Sequence, residues 1–343
     1  MSAAVAPPRR PAVLEATVLV LGLVALVALV FVAFALPGAR TAPRDVPIGL
    51  AGPAPAVAQV QQGLAQAAPG AFVVTAYPDG DSLRAAVRER QVYGGFVLAP
   101  QQAPVTVVAT GGSPVVAQAL TATGQQLAER QGVQGTVDDL APLPADDARG
   151  LGLAGAGLPV VIGGLVPALL LIRRFPGRPW LRVTAATAFA LLTGTALAAI
   201  LQFWFGSVDG GFVRVGLGLS LGLGAISLLL LGLESLLGAA GFGLGSAMVM
   251  LLGNPLSGLT SAPELLPSGW GALGQLLPPG ANATLLRSTA YFDGAGASRP
   301  MLVLWSWAAL GLLLVTLSVA RHRRTATVAV PAGAALGAVV PAA

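Results

Sequence analysis

Two short patterns in the chain have the spacing of chemical motifs. Gly150-Leu-Gly152-Leu-Ala-Gly155 matches the dinucleotide-binding pattern GxGxxG, and Gly218-Leu-Ser220-Leu-Gly222 matches the nucleophile elbow GxSxG. The first needs a strand before it and an acid about 20 residues on, to hold a ribose. Here it opens an apolar run, and the residue at that distance is apolar. The second lies inside another apolar run, and the only His, His322, is near the far end of the chain. All 19 basic residues are Arg, so no Walker lysine and no Schiff base are available, and the absence of Cys removes thiolate chemistry and zinc sites. Asp138-Asp139 and Asp146-Asp147 lack EF-hand spacing and read as solvated loop. No group of side chains is left for acid, base or nucleophilic work, so the chain reads as a non-enzyme with no cofactor and no metal.

Composition says where such a chain lives. It has 343 residues, 55% hydrophobic and 10% charged, with 19 basic against 14 acidic groups, and a mean hydropathy of +0.78. Soluble domains carry about 25% charged residues, so lipid is the natural solvent for most of this chain. The bias to Ala, Gly, Pro and Arg without Lys suggests a GC-rich bacterial genome. A helix needs about 20 apolar residues to cross a bilayer. Residues 12–36, interrupted only by Glu15, follow a short leader (1–11) and are too long for a signal peptide. Further runs cover Gly150–Ile172, the stretch from Arg182 to Phe205, and Met301–Ala320. Val215–Gly253 is too long for one crossing and reads as a hairpin turning at Glu234-Ser235. The expectation is six transmembrane helices in a polytopic α-helical protein, with residues 150–320 holding the last five and residues 321–343 forming a tail.

Charge orients these spans. Arg9, Arg10, Arg173, Arg174, Arg178, Arg182, Arg321, Arg323 and Arg324 fall on one side, and Arg214, Arg287 and Arg299 on the other. The positive-inside rule then puts both termini in the cytoplasm of a multi-pass cell-membrane protein. Trp204, Trp270, Trp305 and Trp307 gather at the outer boundary and Trp180 at the inner one. Glu15 and Glu234 are intramembrane acids of the kind that mark function, or interfacial groups near the cytoplasmic surface, where Glu15 also suits the helix dipole. Gly218 with Gly222, and Gly241 with Gly245, have the GxxxG spacing that lets membrane helices approach closely.

Residues 40–149 differ from the rest. Short β-prone runs (Val46–Leu50, Phe72–Tyr77, Tyr93–Leu98, Val105–Ala109) alternate with helical stripes at Val57, Val60 and Leu64, at Leu83 and Val87, and at Val116, Leu120 and Leu127. This reads as an extracytoplasmic α/β domain of order βαβαββα inserted between helices 1 and 2. The segment 254–299 falls outside as well, yet is largely apolar and broken by Pro and Gly, so it should dip into the outer leaflet and return. Backbone of that kind is tolerated only when covered by protein or lining a cavity. Arg287 there could meet a lipid headgroup or a buried acid, or simply snorkel.

The layout, together with Leu277-Pro-Pro-Gly-Ala-Asn-Ala-Thr-Leu-Leu-Arg-Ser-Thr-Ala-Tyr-Phe292, resembles the membrane subunits of ABC-2-type exporters. The insertion after the first span narrows this to the branch resembling the YhgE/Pip membrane proteins. The resemblance implies a homodimer or heterodimer in the lipid bilayer, with no nucleic-acid partner. It would move a lipid, peptide or hydrophobic small molecule outward, driven by a separate cytoplasmic ATPase. On that reading Arg173, Arg174, Arg178 and Trp180 dock the ATPase, and Asn254, Pro255, Pro278, Pro279 and Arg287 line the outer gate. Pro176, Gly177 and Pro179 argue against a coupling helix in the Arg173–Arg182 loop. A second reading stays open: a non-transporting anchor or receptor whose outer domain binds an envelope partner or phage, with the same arginines on anionic headgroups.

Overall fold

The computed structural model describes residues 12–39, 42–99 and 103–328; the leader 1–11 and the tail beyond Val328 lie outside the described residues. Helix α1 (Ala12–Ala39) is followed by β1 (Val46–Ala51), α2 (Ala54–Ala67), β2 (Phe72–Tyr77), α3 (Gly80–Arg88), β3 (Gly94–Val97), β4 (Val105–Val108), α4 (Pro114–Arg130) and β5 (Thr136–Asp139). The strands form one five-stranded sheet of order β2-β1-β3-β4-β5. β1 is parallel to β2 and β3, β4 is parallel to β5, and β3 and β4 pair antiparallel. Val46, Ile48 and Leu50 of β1 and Phe96 of β3 are buried, with Val116 and Leu120 of α4 packed on them. The sequence pattern expects no strand at β5, which ends in two acids. Those acids are paired: Arg84 donates to Asp138 at 2.7 Å, and Asp139 accepts from the Thr110 hydroxyl and from the backbone of Thr110 and Ala141. Asp147 is also engaged, accepting from the backbone N–H of Leu151 and Gly152 at 2.8 Å each, which caps the next helix.

The rest is helical: α5 (Leu151–Gly155), α6 (Gly157–Arg174), α7 (Pro179–Ala199), α8 (Phe212–Leu237), α9 (Ala239–Ala247), α10 (Trp270–Leu276), α11 (Pro278–Tyr291) and α12 (Ser298–Val328). Among the described residues, five helices are long and apolar enough to cross a membrane: α1, α5 with α6, α7 with its π-helical extension to Trp204, α8, and α12 to Arg323. The expected second arm of a hairpin, Ala239–Gly253, is apolar but short. The chain turns at Gly238, four residues beyond Glu234-Ser235's first member, where φ is +65° and ψ is −148°. Only glycine visits that region freely, whereas Glu234 and Ser235 fit within α8. Leu158, Ile162, Val166 and Leu170, one helical turn apart on α6, are exposed, as are Val20, Val24 and Val27 on α1. Exposed apolar stripes like these suit a helical membrane protein.

Helix α8 is the exception, buried along most of its length, because α6, α7, α11 and α12 all pack on it. Without a hydrophobic drive between helices in lipid, close packing through small residues has to hold such a bundle. A Cβ on Gly222 would come within 2.3 Å of Asn282 Nδ2, and one on Gly311 of α12 within 2.3 Å of the Leu228 carbonyl. Gly218 is looser, 3.6 Å from Leu285, but its carbonyl accepts from Asn282 Nδ2 at 2.9 Å. Gly241 and Gly245 pack α9 back onto Leu233 and Leu230 of α8.

Gly311→Ala is expected to lower stability by about 1–3 kcal/mol through overpacking against backbone. Gly243→Ala, where a Cβ meets nothing within 4 Å, should leave it unchanged. Thermal unfolding of the two variants in detergent checks the difference.

Candidate functional site

The segment after α9 is a chain of short pieces. A π-helical turn (Met248–Gly253) leads into 3-10 turns at Pro255–Ser257 and Pro263–Leu265, and then α10 and α11. Pro at the start of each 3-10 turn and of α11 sets φ where no N–H partner is needed. The pieces are tied by side chains instead of a helix ladder. Gln275 donates to the Ser257 carbonyl at 3.1 Å and accepts from Thr284 at 2.6 Å, and Trp307 Nε1 donates to the Leu276 carbonyl at 2.8 Å. Arg287, 5% exposed, donates to the carbonyls of Gly258 and Ser261 at 3.1 Å each, and to that of Leu259. It therefore neither snorkels nor meets a buried acid; its charge is spent on holding an irregular loop whose carbonyls lack helical partners.

The sheet is seated on this segment. Ala262 and Leu265 belong to the same apolar cluster as Ile48, Leu50 and Phe96, so the core expected within residues 40–149 is shared with the broken helices. The Tyr93 hydroxyl donates to Glu264 at 2.7 Å, and burial, with Glu264 beside it, pushes its pKa up. Arg90 donates to the Thr284 carbonyl at 3.1 Å and to Ser288 Oγ, and lies 5.0 Å from the centre of the Phe292 ring. Burial lowers the pKa of Arg90 from its usual value. Between sheet and segment lies a cavity of about 690 Å³, walled by Arg44, Arg90, Arg287, Arg299, Asp45 and Glu264 together with apolar faces of Val92, Leu266, Phe292 and Pro300.

Of the residues assigned to an outer gate, Arg287 alone reaches this cavity. Asn254 and Pro279 meet instead in a small gap beside Asn282, Pro255 opens the first 3-10 turn, and Pro278 and Pro279 begin α11 and are buried. Gly218 and Gly222 face α11, and thus brace this same segment. The basic connection is at the other end of α8. Arg173 and Arg174 end α6, and Arg178 precedes α7, which carries Trp180 in its first turn. All four are exposed, and no helix lies between α6 and α7. Arg182 has a different place: it is buried in α7, donating to Glu234 at 2.8 Å and to the Phe175 carbonyl at 2.8 Å. Among the described residues no group of three or more His, Asp or Glu is placed to hold a metal.

Nothing local in the sequence marks Arg44 or Arg90 as site residues, and Tyr93, expected to open a strand, instead precedes β3. The one local signal was Glu264, a lone acid in an apolar outer segment, which requires a partner. No family model matches the chain, and no curated protein and no solved structure matches it.

Arg287→Met is expected to free the 258–261 loop, since bonds from a charged donor contribute about 1.5–3 kcal/mol each. Amide exchange across Ser257–Ala262 should quicken at least about tenfold, while α8 stays protected. Unchanged exchange in that loop would show that other contacts hold it.

Proposed function

We propose that the chain is the membrane subunit of an ABC-2-like exporter, of the branch resembling the YhgE/Pip proteins. Its cargo is a lipid, a peptide or a hydrophobic small molecule, and a separate cytoplasmic ATPase drives it. The short arm Ala239–Gly253 is the return crossing after α8, giving six crossings with both termini in the cytoplasm of the cell membrane. The sheet and the broken segment 254–299 then stand on the outer side, and the chain works as a dimer. The observation that carries this reading is the broken segment itself: irregular backbone tied by Arg287, with Asn282 holding α11 to α8, at one end of an apolar bundle and beneath a cavity roofed by the sheet. Irregular backbone at membrane depth belongs where it is covered by protein or lines a path. Cargo would leave between the dimerised spans, the broken segment opening to pass it to the cavity.

One observation favours the second reading, an anchor or receptor without transport. The α6–α7 connection, Phe175–Arg178, offers a motor no coupling helix. Its arginines would then bind anionic headgroups.

Gentle solubilisation followed by identification of co-purifying proteins separates the two. The exporter reading expects a stoichiometric ATPase, released by Arg178→Glu with loss of export while the bundle remains folded. Envelope proteins or lipid alone, with no ATPase even after crosslinking, would establish the anchor.

A further inference from the structure

The walls of the cavity carry four guanidinium groups against the carboxylates of Asp45 and Glu264, a net charge of +2. Arg90 and Arg287 are the informative pair. Arg287 is buried and Arg90 partly buried, Arg287 feels the positive charge of Arg90, and among the described residues no carboxylate lies within ion-pair distance of either. Glu264 offsets part of this from further off, while taking its own hydrogen bond from Tyr93. Buried charge without a counterion is costly, and the carbonyls that receive these guanidiniums supply partial charge only. Arg299, on the rim, is exposed. Val92, Leu266, Phe292 and Pro300 add apolar faces to the same walls, with Phe292 directly against Arg90. Basic groups set among apolar ones suit a ligand with an anionic end and a hydrocarbon or glycerol body.

We infer that this cavity binds a phosphomonoester, with its phosphate between Arg90, Arg287 and Arg299 and its body along the Phe292 and Leu266 wall. Phosphate fits better than a single carboxylate because its charge approaches the net charge of the walls, and because its oxygens can accept from several forks at once. The phosphate could belong to a lipid headgroup or to a free ester. This rests on the exporter reading only for the side of the membrane on which the cavity opens, and binding needs no motor, so either can fail alone.

The test uses the purified full chain in a neutral detergent, with calorimetric titration of three probes: dihexanoyl phosphatidic acid, sn-glycerol 3-phosphate and dihexanoyl phosphatidylcholine. Saturable binding of at least one phosphomonoester is expected, weakened by salt. Arg90→Gln and Arg299→Gln should each reduce its affinity, by about tenfold for the partly buried group and about threefold for the exposed one. Arg299→Gln removes an exposed side chain and so keeps the test alive if Arg90→Gln does not fold. Phosphatidylcholine should bind at least about tenfold more weakly. Binding of phosphatidic acid alone would assign the phosphate to a lipid headgroup, and equal binding of glycerol phosphate would assign it to a free ester. No saturable binding of either phosphomonoester, equal affinity for phosphatidylcholine, or affinity unchanged in both variants would overturn the assignment.

Discussion

The molecule depends on how closely other helices can approach α8. Apolar side chains gain little from leaving lipid for one another, so contact between backbones and small residues has to hold the bundle. Helix α8 supplies that contact on several faces: Ser227 donates to the Gly164 carbonyl of α6, Ser220 meets Gly194 of α7, Gly222 meets Asn282 of α11, and Gly232 meets Gly311 of α12. Its cytoplasm-facing end, in the proposed orientation, is closed by the Arg182–Glu234 pair, which also takes up carbonyls at the end of α6. A helix of 26 residues is about 39 Å long, so one element fixes the separation between the basic connection and the sheet.

At the opposite end the bundle passes into irregular backbone, and there polar bonds take over. Arg287 gathers three carbonyls of the 258–261 loop, Arg90 reaches from the sheet to α11, and Tyr93 reaches from the sheet to Glu264. These same side chains wall the cavity, so what holds the sheet in place also sets the electrostatics of the space beneath it. A shift of α11 along α8 would move Arg287, the loop it ties and the Arg90 contact together. That gives a physical route by which motion in the helices could open or close the cavity.

Much of the architecture can be read from local pattern, and the failures share a cause. β-branched runs located β1 to β4, and apolar length located the long helices, because both signals repeat within a few residues. Strand β5 was hidden because its acids looked solvated, while their partners, Arg84 and Thr110, are distant in sequence. Arg182 looked like one more charge in a cytoplasmic loop, although it is paired with a carboxylate 52 residues away. The GxxxG spacing drew attention to Gly218 and Gly222, but Gly311 has no such companion on its own helix, and its contact with α8 exists only in three dimensions. The cavity is out of reach for the same reason: its arginines come from the loops before β1 and β3, from α11 and from the start of α12, and nothing local links them.

The central claim is that the sheet with its cavity and the α6–α7 connection lie on opposite faces of one membrane. The chain has no Cys, so single cysteines can be read without background. Glu129→Cys on α4 and Pro176→Cys in the connection are both exposed positions. A membrane-impermeant maleimide should label Glu129→Cys in intact cells, and should label Pro176→Cys only after permeabilisation. Labelling of both from the same side would contradict the account.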